Sequence, residues 1–327
     1  MIEKKDVKCI KKTTCGPFYD NFIIFIKNKF VKTNIFDLRI MNKSIIIKYE
    51  EEKLIQYEYY IRIRLRHPFL VNVLFSFQDY DNLFLIMEFA NTNFQEFLKI
   101  RGTFTKKAAK FYICEIILVI EYLHSRNQTY GFFVSKNIFV NDKGHIKLKY
   151  EFLNAIIEKR GGVRDFIDYT APEYILNGKI TQSTDIWQIG ILLFHMLVGY
   201  TPFNNESYDL TKRAILNQDF SFPEFVDVNS RDLIRKILEK DSTKRINFSE
   251  MKKHPFFGDV DWDAVHKQTL EPPFLFDELS KYKNASPADL DKIYTSDYYN
   301  EQNKDGYGKA FRYFGRIDAD NPFIKKN

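Results

Sequence analysis

At Phe89 the hydrophobic period of the chain changes, and that change limits the architectures open to it. Before it come short β-rich runs: "NFIIFIKNKF", "TNIFDLRIMN", and "VNVLFSFQDYDNLFLIMEF", which reads as two strands around an Asp-Tyr-Asp-Asn turn. One charged stretch, "IIIKYEEEKLIQYEYYIRIRLRH", has helical period and stops before Pro68. After Phe89 the period is helical. "TKKAAKFYICEIILVIEYLHSRN" places Ala108, Phe111, Cys114, Leu118 and Tyr122 on one face, behind Thr105 as N-cap. A hairpin, "IFVNDKGHIKLKY", follows, and "TDIWQIGILLFHMLVG" predicts a buried helix ending at Gly199. Helices continue to about Pro255, and from Gly258 the chain turns irregular and aromatic. The pattern predicts an α+β chain: a small antiparallel β-rich lobe with one main helix over 1–89, a larger helical lobe over 90–257, and an extended tail over 258–327.

Composition excludes several classes. Of 327 residues, 45% are apolar, with 32 Phe and 20 Tyr, so a sizeable core is available. A net charge of +6 is mild for this size, and no nucleic-acid partner is expected. No apolar run approaches the ~20 residues of a membrane span, and "MIEKKDVKCIKK" lacks an apolar signal region. A cytoplasmic protein is expected, with the nucleus open as well. Cys9, Cys15 and Cys114 have no metal spacing. Cys114 belongs to a core helix; Cys9 and Cys15 are within reach of each other in a hairpin but are expected as free thiols. His67, His124, His195 and His254 show no dyad with Ser or Cys and read as structural.

Several landmarks together resemble the protein kinase family. They are Ala171-Pro172-Glu173, "TDIWQIG" with Asp185, Trp187 and Gly190, and Arg245 in "DSTKRIN". "RHPFLVNVLFSFQDYDNLFLIMEF", "VGYTPF", "HPFF" and "GKAFRYF" are similar to the cAMP-dependent branch of the AGC group. The resemblance implies a bilobal kinase fold, a structural Glu173–Arg245 pair, and a tail whose Phe311 and Phe314 fill a pocket on the small lobe.

Carried across residue by residue, the same resemblance implies losses of chemistry. Phosphoryl transfer needs a glycine-rich loop, a strand lysine, a helix glutamate, a catalytic aspartate, an asparagine and a metal-binding aspartate. The glycine-rich loop falls on "TCGPFYDNF", where only Gly16 remains and Thr14 and Tyr19 take the other glycine places. The strand lysine falls on Arg39 and the helix glutamate on Glu58, an expected ion pair; Asp37 and Phe139 crowd the base pocket, which also includes Met87. The catalytic loop is "YGFFVSKN": the base falls on Phe132, which accepts no proton, its companion lysine on Val134, its arginine on Gly131, and the asparagine on Asn137. The metal-binding aspartate falls on Tyr150, with Glu151 one position off as a substitute ligand only if the strand bulges. The activation-loop phosphate position falls near Gly162, and the acidic readers of basic peptides fall on Phe94, Lys136 and His195. Lys149 reads as a solvated lysine. Arg62 and Glu151 replace packed apolar residues and are expected to pair across the lobes, the alternative being that each reaches solvent.

The leading expectation is therefore a pseudokinase: a kinase-like scaffold with no metal and no cofactor, binding a protein such as a kinase, a regulatory subunit or another signalling protein. The alternative is a serine/threonine kinase of the cAMP-dependent type with atypical ATP- and magnesium-dependent transfer. A third is a nucleotide binder that transfers nothing.

Overall fold

The computed structural model describes residues 7–16, 18–26, 35–90, 92–131, 133–150, 167–275, 288–289, 310–311 and 314. The chain divides into two units. The first takes in the chain up to Arg66, Val71–Ala90 and the tail; the second takes in His67–Leu70 and Asn91–Phe276.

The first unit is built on an antiparallel sheet of β1 (Val7–Cys15), β2 (Tyr19–Ile26), β3 (Ile35–Asn42), β4 (Val73–Gln78) and β5 (Asn82–Glu88), in the order β4-β5-β3-β2-β1. Alternation along β3 sorts its side chains. Phe36, Leu38 and Ile40 join Cys9, Phe22, Ile24, Ile26, Phe84 and Ile86 in a core. The positions between them, Asp37 and Arg39, therefore lie on the opposite face, Arg39 opposite Asn21 and Leu85, Asp37 opposite Ile23 and Met87. Two helices follow, not one: α1 (Lys43–Lys48), capped by the Asn42 side chain, and α2 (Glu52–Arg64). The break falls at "YEE", where Glu50 takes a positive φ of 58°. α2 ends at Leu65, just ahead of His67-Pro68, as the proline predicts. Cys9 and Cys15 lie six residues apart on the single strand β1, about 20 Å along an extended chain, so no hairpin brings them together, and Cys9 is a free thiol as expected.

The second unit is helical: α3 (Phe94–Arg101), α4 (Lys106–Ser125), α5 (Pro172–Asn177), α6 (Gln182–Val198), α7 (Tyr208–Asn217), α8 (Val228–Ile237), α9 (Phe248–Lys252) and α10 (Trp262–His266). A small sheet joins β6 (Thr92–Asn93), β7 (Ile138–Val140) and β8 (Ile146–Leu148). Thr105 caps α4 through its hydroxyl, which accepts from the Ala108 N–H. The expected stripe on α4 is only partly the buried one: Ala108 and Cys114 are buried, whereas Phe111, Leu118 and Tyr122 are half-buried. Tyr112, Ile113, Ile116, Ile117 and Ile120 are buried as well, so α4 has no single apolar face for periodicity to pick out. α6 is buried along nearly its whole length, packs against α4, and ends at Gly199 with φ of 93°, a left-handed cap. Among the described residues no helix is long and apolar enough to cross a membrane.

Candidate functional site

The residues that the sequence assigns to a nucleotide site fall into two groups, one in each unit. In the first unit the β1–β2 turn is closed on itself. The Gly16 N–H donates to the Tyr19 carbonyl at 2.7 Å, so this amide is spent within the turn. The Tyr19 ring folds back over Gly16 so closely that a Cβ there would lie 2.6 Å from Tyr19 Cζ. A Cβ at position 16 would therefore have to displace the Tyr19 ring. Phe18 is buried, edge-on to Tyr49 at 5.4 Å.

Arg39 is sealed inside this arrangement. It is 1% exposed; its guanidinium lies 3.9 Å from the Tyr19 ring centroid, and Nε donates to Asn21 Oδ1 at 3.0 Å. The expected Arg39–Glu58 pair is present but long, with Nη1 3.8 Å from Oε1. Glu58 has a nearer partner one turn along α2: Arg62 Nη1 donates to it at 3.0 Å, while Arg62 Nη2 lies 2.9 Å from Met87 Sδ. Arg62 is thus engaged by a carboxylate of its own unit; Glu151, its expected partner, lies outside the described residues. Asp37 is buried on the same strand face. A charge buried this deeply needs partners; β2 and β5 flank both charged residues of β3, and α2 brings Glu58 to Arg39.

In the second unit the catalytic-loop segment is held from below by α6. Asp185 accepts three hydrogen bonds or their equivalent: from the Gly131 N–H at 2.6 Å, from the Tyr130 N–H at 2.9 Å, and across to His124 Nε2 at 2.7 Å. One turn on, Gln188 accepts from the Phe133 N–H at 2.9 Å and donates to the Gly131 carbonyl at 3.1 Å. Gly131 sits at φ of +79°, a conformation that favours glycine. Phe133 and Val134 are buried, Asn137 closes a single 3₁₀ turn over Ser135–Asn137, and Phe132 lies outside the described residues. The loop's path is well anchored; its side chains are apolar.

Tyr150, onto which the resemblance carries the metal-binding aspartate, is buried with its hydroxyl 3.3 Å from Gln128 Oε1 and its ring edge-on to Tyr130 at 6.0 Å. Tyr130 in turn donates to the Lys149 carbonyl at 2.7 Å. The Lys149 ammonium is not simply solvated as expected: Nζ stands 4.2 Å over the Phe139 ring. Gly162 lies outside the described residues.

The expected Glu173–Arg245 scaffold pair is formed. Arg245 is bidentate on Glu173, Nη1 to Oε1 at 2.8 Å and Nη2 to Oε2 at 3.1 Å, and Nη1 also donates to the Ser183 carbonyl at 2.7 Å. The guanidinium lies 5.1 Å from the ring centroid of Trp187, which is fully buried.

The positions expected to read a peptide fall in two places. Phe94 is buried among Phe97, Phe104 and Tyr112. Lys136 and His195 line a cavity of about 240 Å³ with Asp168, Tyr169 and Thr201. Burial lowers the His195 pKa, and its Nδ1 is 3.0 Å from the Tyr169 hydroxyl. Burial raises the Asp168 pKa against a hydrogen bond from Thr201.

The tail docks within the first unit. Phe311 and Phe314 are both buried; Phe314 stacks on Tyr59 of α2 at 4.2 Å. Gln78 of β4 donates to the Phe311 and Phe314 carbonyls at 3.0 and 2.9 Å, and Gln56 donates to the Ala310 carbonyl. Ala288–Asp289 (β9) extends the sheet beside Lys8 and Cys9.

A magnesium-nucleotide fits these residues poorly. Tyr150 brings no carboxylate and is bound to Gln128, and Arg39 is covered by Tyr19. Among the described residues no three His, Cys, Asp or Glu side chains group as a metal site. Sequence reasoning missed Asn21, Gln128 and Gln188, because only strand register and loop path bring them to Arg39, Tyr150 and Gly131. It also missed the buried Glu115–His145 pair, where burial raises the Glu115 pKa and the Ile146 N–H donates to the carboxylate at 2.9 Å. A carboxylate in the apolar run "YICEIILVI" was the available signal.

The protein kinase domain family matches residues 28–257. Similar proteins include a probable serine/threonine-protein kinase of Dictyostelium discoideum, 32% identical over 267 residues, covering 77% of this chain and 58% of that relative. A cAMP-dependent protein kinase catalytic subunit of Mus musculus is 32% identical over 267 residues, covering 78% of this chain and 75% of the relative. A cAMP-dependent protein kinase type 3 of Saccharomyces cerevisiae is 31% identical over 244 residues, covering 72% and 61%. The chain thus spans between about three fifths and three quarters of these relatives' lengths.

Proposed function

The chain belongs to the protein kinase family, in its AGC type, and from that premise we propose that it works as a pseudokinase, a kinase fold that binds or allosterically controls another protein without transferring phosphate. The observation that carries this reading is Tyr150. Where the family resemblance places a metal-binding carboxylate, this chain has a buried phenol bound to Gln128, and a neutral phenol does not replace a carboxylate as a magnesium ligand. Phe132, at the base position, and the covered Arg39 point the same way. The large unit keeps its scaffold bonds through Asp185, Gln188 and Arg245, which is what a binding module needs from the fold. The partner would be a protein: a kinase, a regulatory subunit or another signalling protein, met in the cytoplasm.

A second reading has a specific observation behind it: the similar proteins are named as kinases, and Glu58 and Asn137 remain. On that reading the chain is a serine/threonine kinase of the cAMP-dependent type whose ATP- and magnesium-dependent transfer uses a substitute ligand, with Glu151 the candidate. Calorimetry with ATP, with and without magnesium, followed by a phosphate-transfer assay on the same preparation, separates them. No magnesium-dependent binding and no transfer is the expected result. Transfer that needs magnesium and is lost in Glu151→Gln would overturn the pseudokinase reading.

A further inference from the structure

The feature of this chain that its family resemblance does not supply is the aromatic ring over Arg39. Tyr19 opens β2, four residues into a turn whose first amide already donates to the Tyr19 carbonyl. Its ring presses on the Gly16 backbone from one side and against the Arg39 guanidinium at 3.9 Å on the other. The edges of that guanidinium meet Asn21 Oδ1 at 3.0 Å and Glu58 at 3.8 Å. Of these three neighbours, Tyr19 is the one sitting on the turn, where a nucleotide's phosphates would have to come close. Glu58 does not claim Arg39 closely, because Arg62 is nearer at 3.0 Å. On the turn side the Tyr19 ring covers the Arg39 guanidinium.

We propose that Tyr19 is the residue that excludes polyphosphate from this unit: its ring plugs the β1–β2 turn, and taking it away uncovers an anion site on Arg39 fit for the phosphate chain of a nucleoside di- or triphosphate. The inference rests on the pseudokinase reading in one respect, that the native chain holds no such anion. A guanidinium is planar and offers a fork of donors, so once uncovered it binds a phosphate oxygen pair without a metal. The fork and the short turn place the anion against β1 and β2 alone. Asp37, two positions along the same strand face, sets the limit of the site, since its carboxylate repels an anion seated beyond Arg39.

The test is calorimetric titration of the full chain with inorganic tripolyphosphate in the absence of divalent metal, which asks nothing of the base pocket or of transfer chemistry. Tyr19→Ala is expected to bind at least tenfold more tightly than the native chain. Tyr19→Phe, which keeps the ring, is expected to match the native chain. Adding Arg39→Met to Tyr19→Ala is expected to remove the gain. Should Tyr19→Ala fail to fold, Gly16→Ala decides the matter, because its Cβ would meet the ring at 2.6 Å and must push it off the turn; the same gain is expected. Equal binding by native and opened chains, or a gain that survives Arg39→Met, overturns the plug. Phosphate transfer by the native chain would overturn the pseudokinase reading instead, whatever the tripolyphosphate titration gives.

Discussion

Each unit of the molecule buries an Arg–Glu pair, and the two pairs are built differently. In the large unit Arg245 meets both oxygens of Glu173 at 2.8 and 3.1 Å, with two further bonds from Nη1 to Ser183 and one from Nε to the Glu239 carbonyl. In the small unit Arg39 reaches one oxygen of Glu58 at 3.8 Å, and that carboxylate is shared with Arg62. The first pair is bidentate, and among the described residues no second cation stands against Glu173. The second is one contact in a network of Arg39, Glu58 and Arg62 that has more than one way to stay compensated. A bidentate pair that ties α5 to the loop before α9 is a structural joint. A loosely satisfied one, at a position where the family resemblance expects a phosphate-handling cation, is what the proposed loss of a ligand would leave behind.

The largest effect should follow from breaking the joint. Arg245→Met takes the bidentate guanidinium away from Glu173 and leaves that mostly buried carboxylate with the Thr184 hydroxyl at 3.3 Å. Removing one member of a buried pair costs about 3–5 kcal/mol, which for a unit of this size lowers the thermal midpoint by on the order of 10 °C. Thermal melting followed by circular dichroism measures it. An unchanged midpoint would mean that the pair carries no structural duty and that the contrast between the units is empty.

Acid gives the next test, because the large unit also buries a histidine that must stay neutral. Burial, with the charges of His266 and Lys147 behind it, lowers the His67 pKa from its ordinary 6.5 to about 4. The folded chain then refuses a proton that the unfolded chain takes up below 6.5. Stability from this group is full above pH 6.5, falls as pH drops toward 4, and levels off below that, at a total of about 3 kcal/mol. His67 Nδ1 accepts from the Phe69 N–H at 3.2 Å, and His67→Asn can keep that bond. Urea midpoints at pH 7 and pH 4.5 should show the native chain losing 2–3 kcal/mol more than His67→Asn, an estimate that follows from the same linkage. Equal losses would remove His67 as the titrating group.

How much of this was legible in the sequence divides along the same line. The scaffold could be read because its residues announce themselves: Ala171-Pro172-Glu173, Asp185, Trp187 and Arg245 each stand in a motif, and Thr105 and Gly199 are cap residues whose chemistry is local. The long helix at 52–64 was visible from its period, but its separation from α1 was not, since nothing in "KYEEE" marks Glu50 for a positive φ. The buried side of α4 was misread for a related reason: with apolar residues on every side, periodicity has no contrast to report. The site is legible only as a list of substitutions. That Arg39 is sealed, that Tyr19 seals it, and that Asn21 and Gln188 hold the neighbouring groups depend on strand register and on the path of a loop, which bring together residues far apart in the chain.

The smallest effect is the sharpest test of the comparison. Arg39→Met is the same substitution as the one proposed for Arg245, at a residue that is just as deeply buried. A methionine stem fills much of the arginine's volume, and its thioether makes a favourable contact with the Tyr19 ring that the guanidinium leaves. Glu58 keeps Arg62 at 3.0 Å, so that carboxylate is not stranded. Asn21 loses one donor, a cost of about 1 kcal/mol, set against the relief of no longer burying a cation. Replacing a buried ion by a well-packed apolar side chain is often neutral or better when its partner stays compensated, and the expected net change is within about 1 kcal/mol of zero. Urea denaturation of Arg39→Met beside Arg245→Met reads the two on one scale. A loss near 4 kcal/mol at Arg39 would make the two pairs equivalent, and Arg39 would then have to be understood as a structural joint of the small unit and not as the closed remnant of a phosphate site.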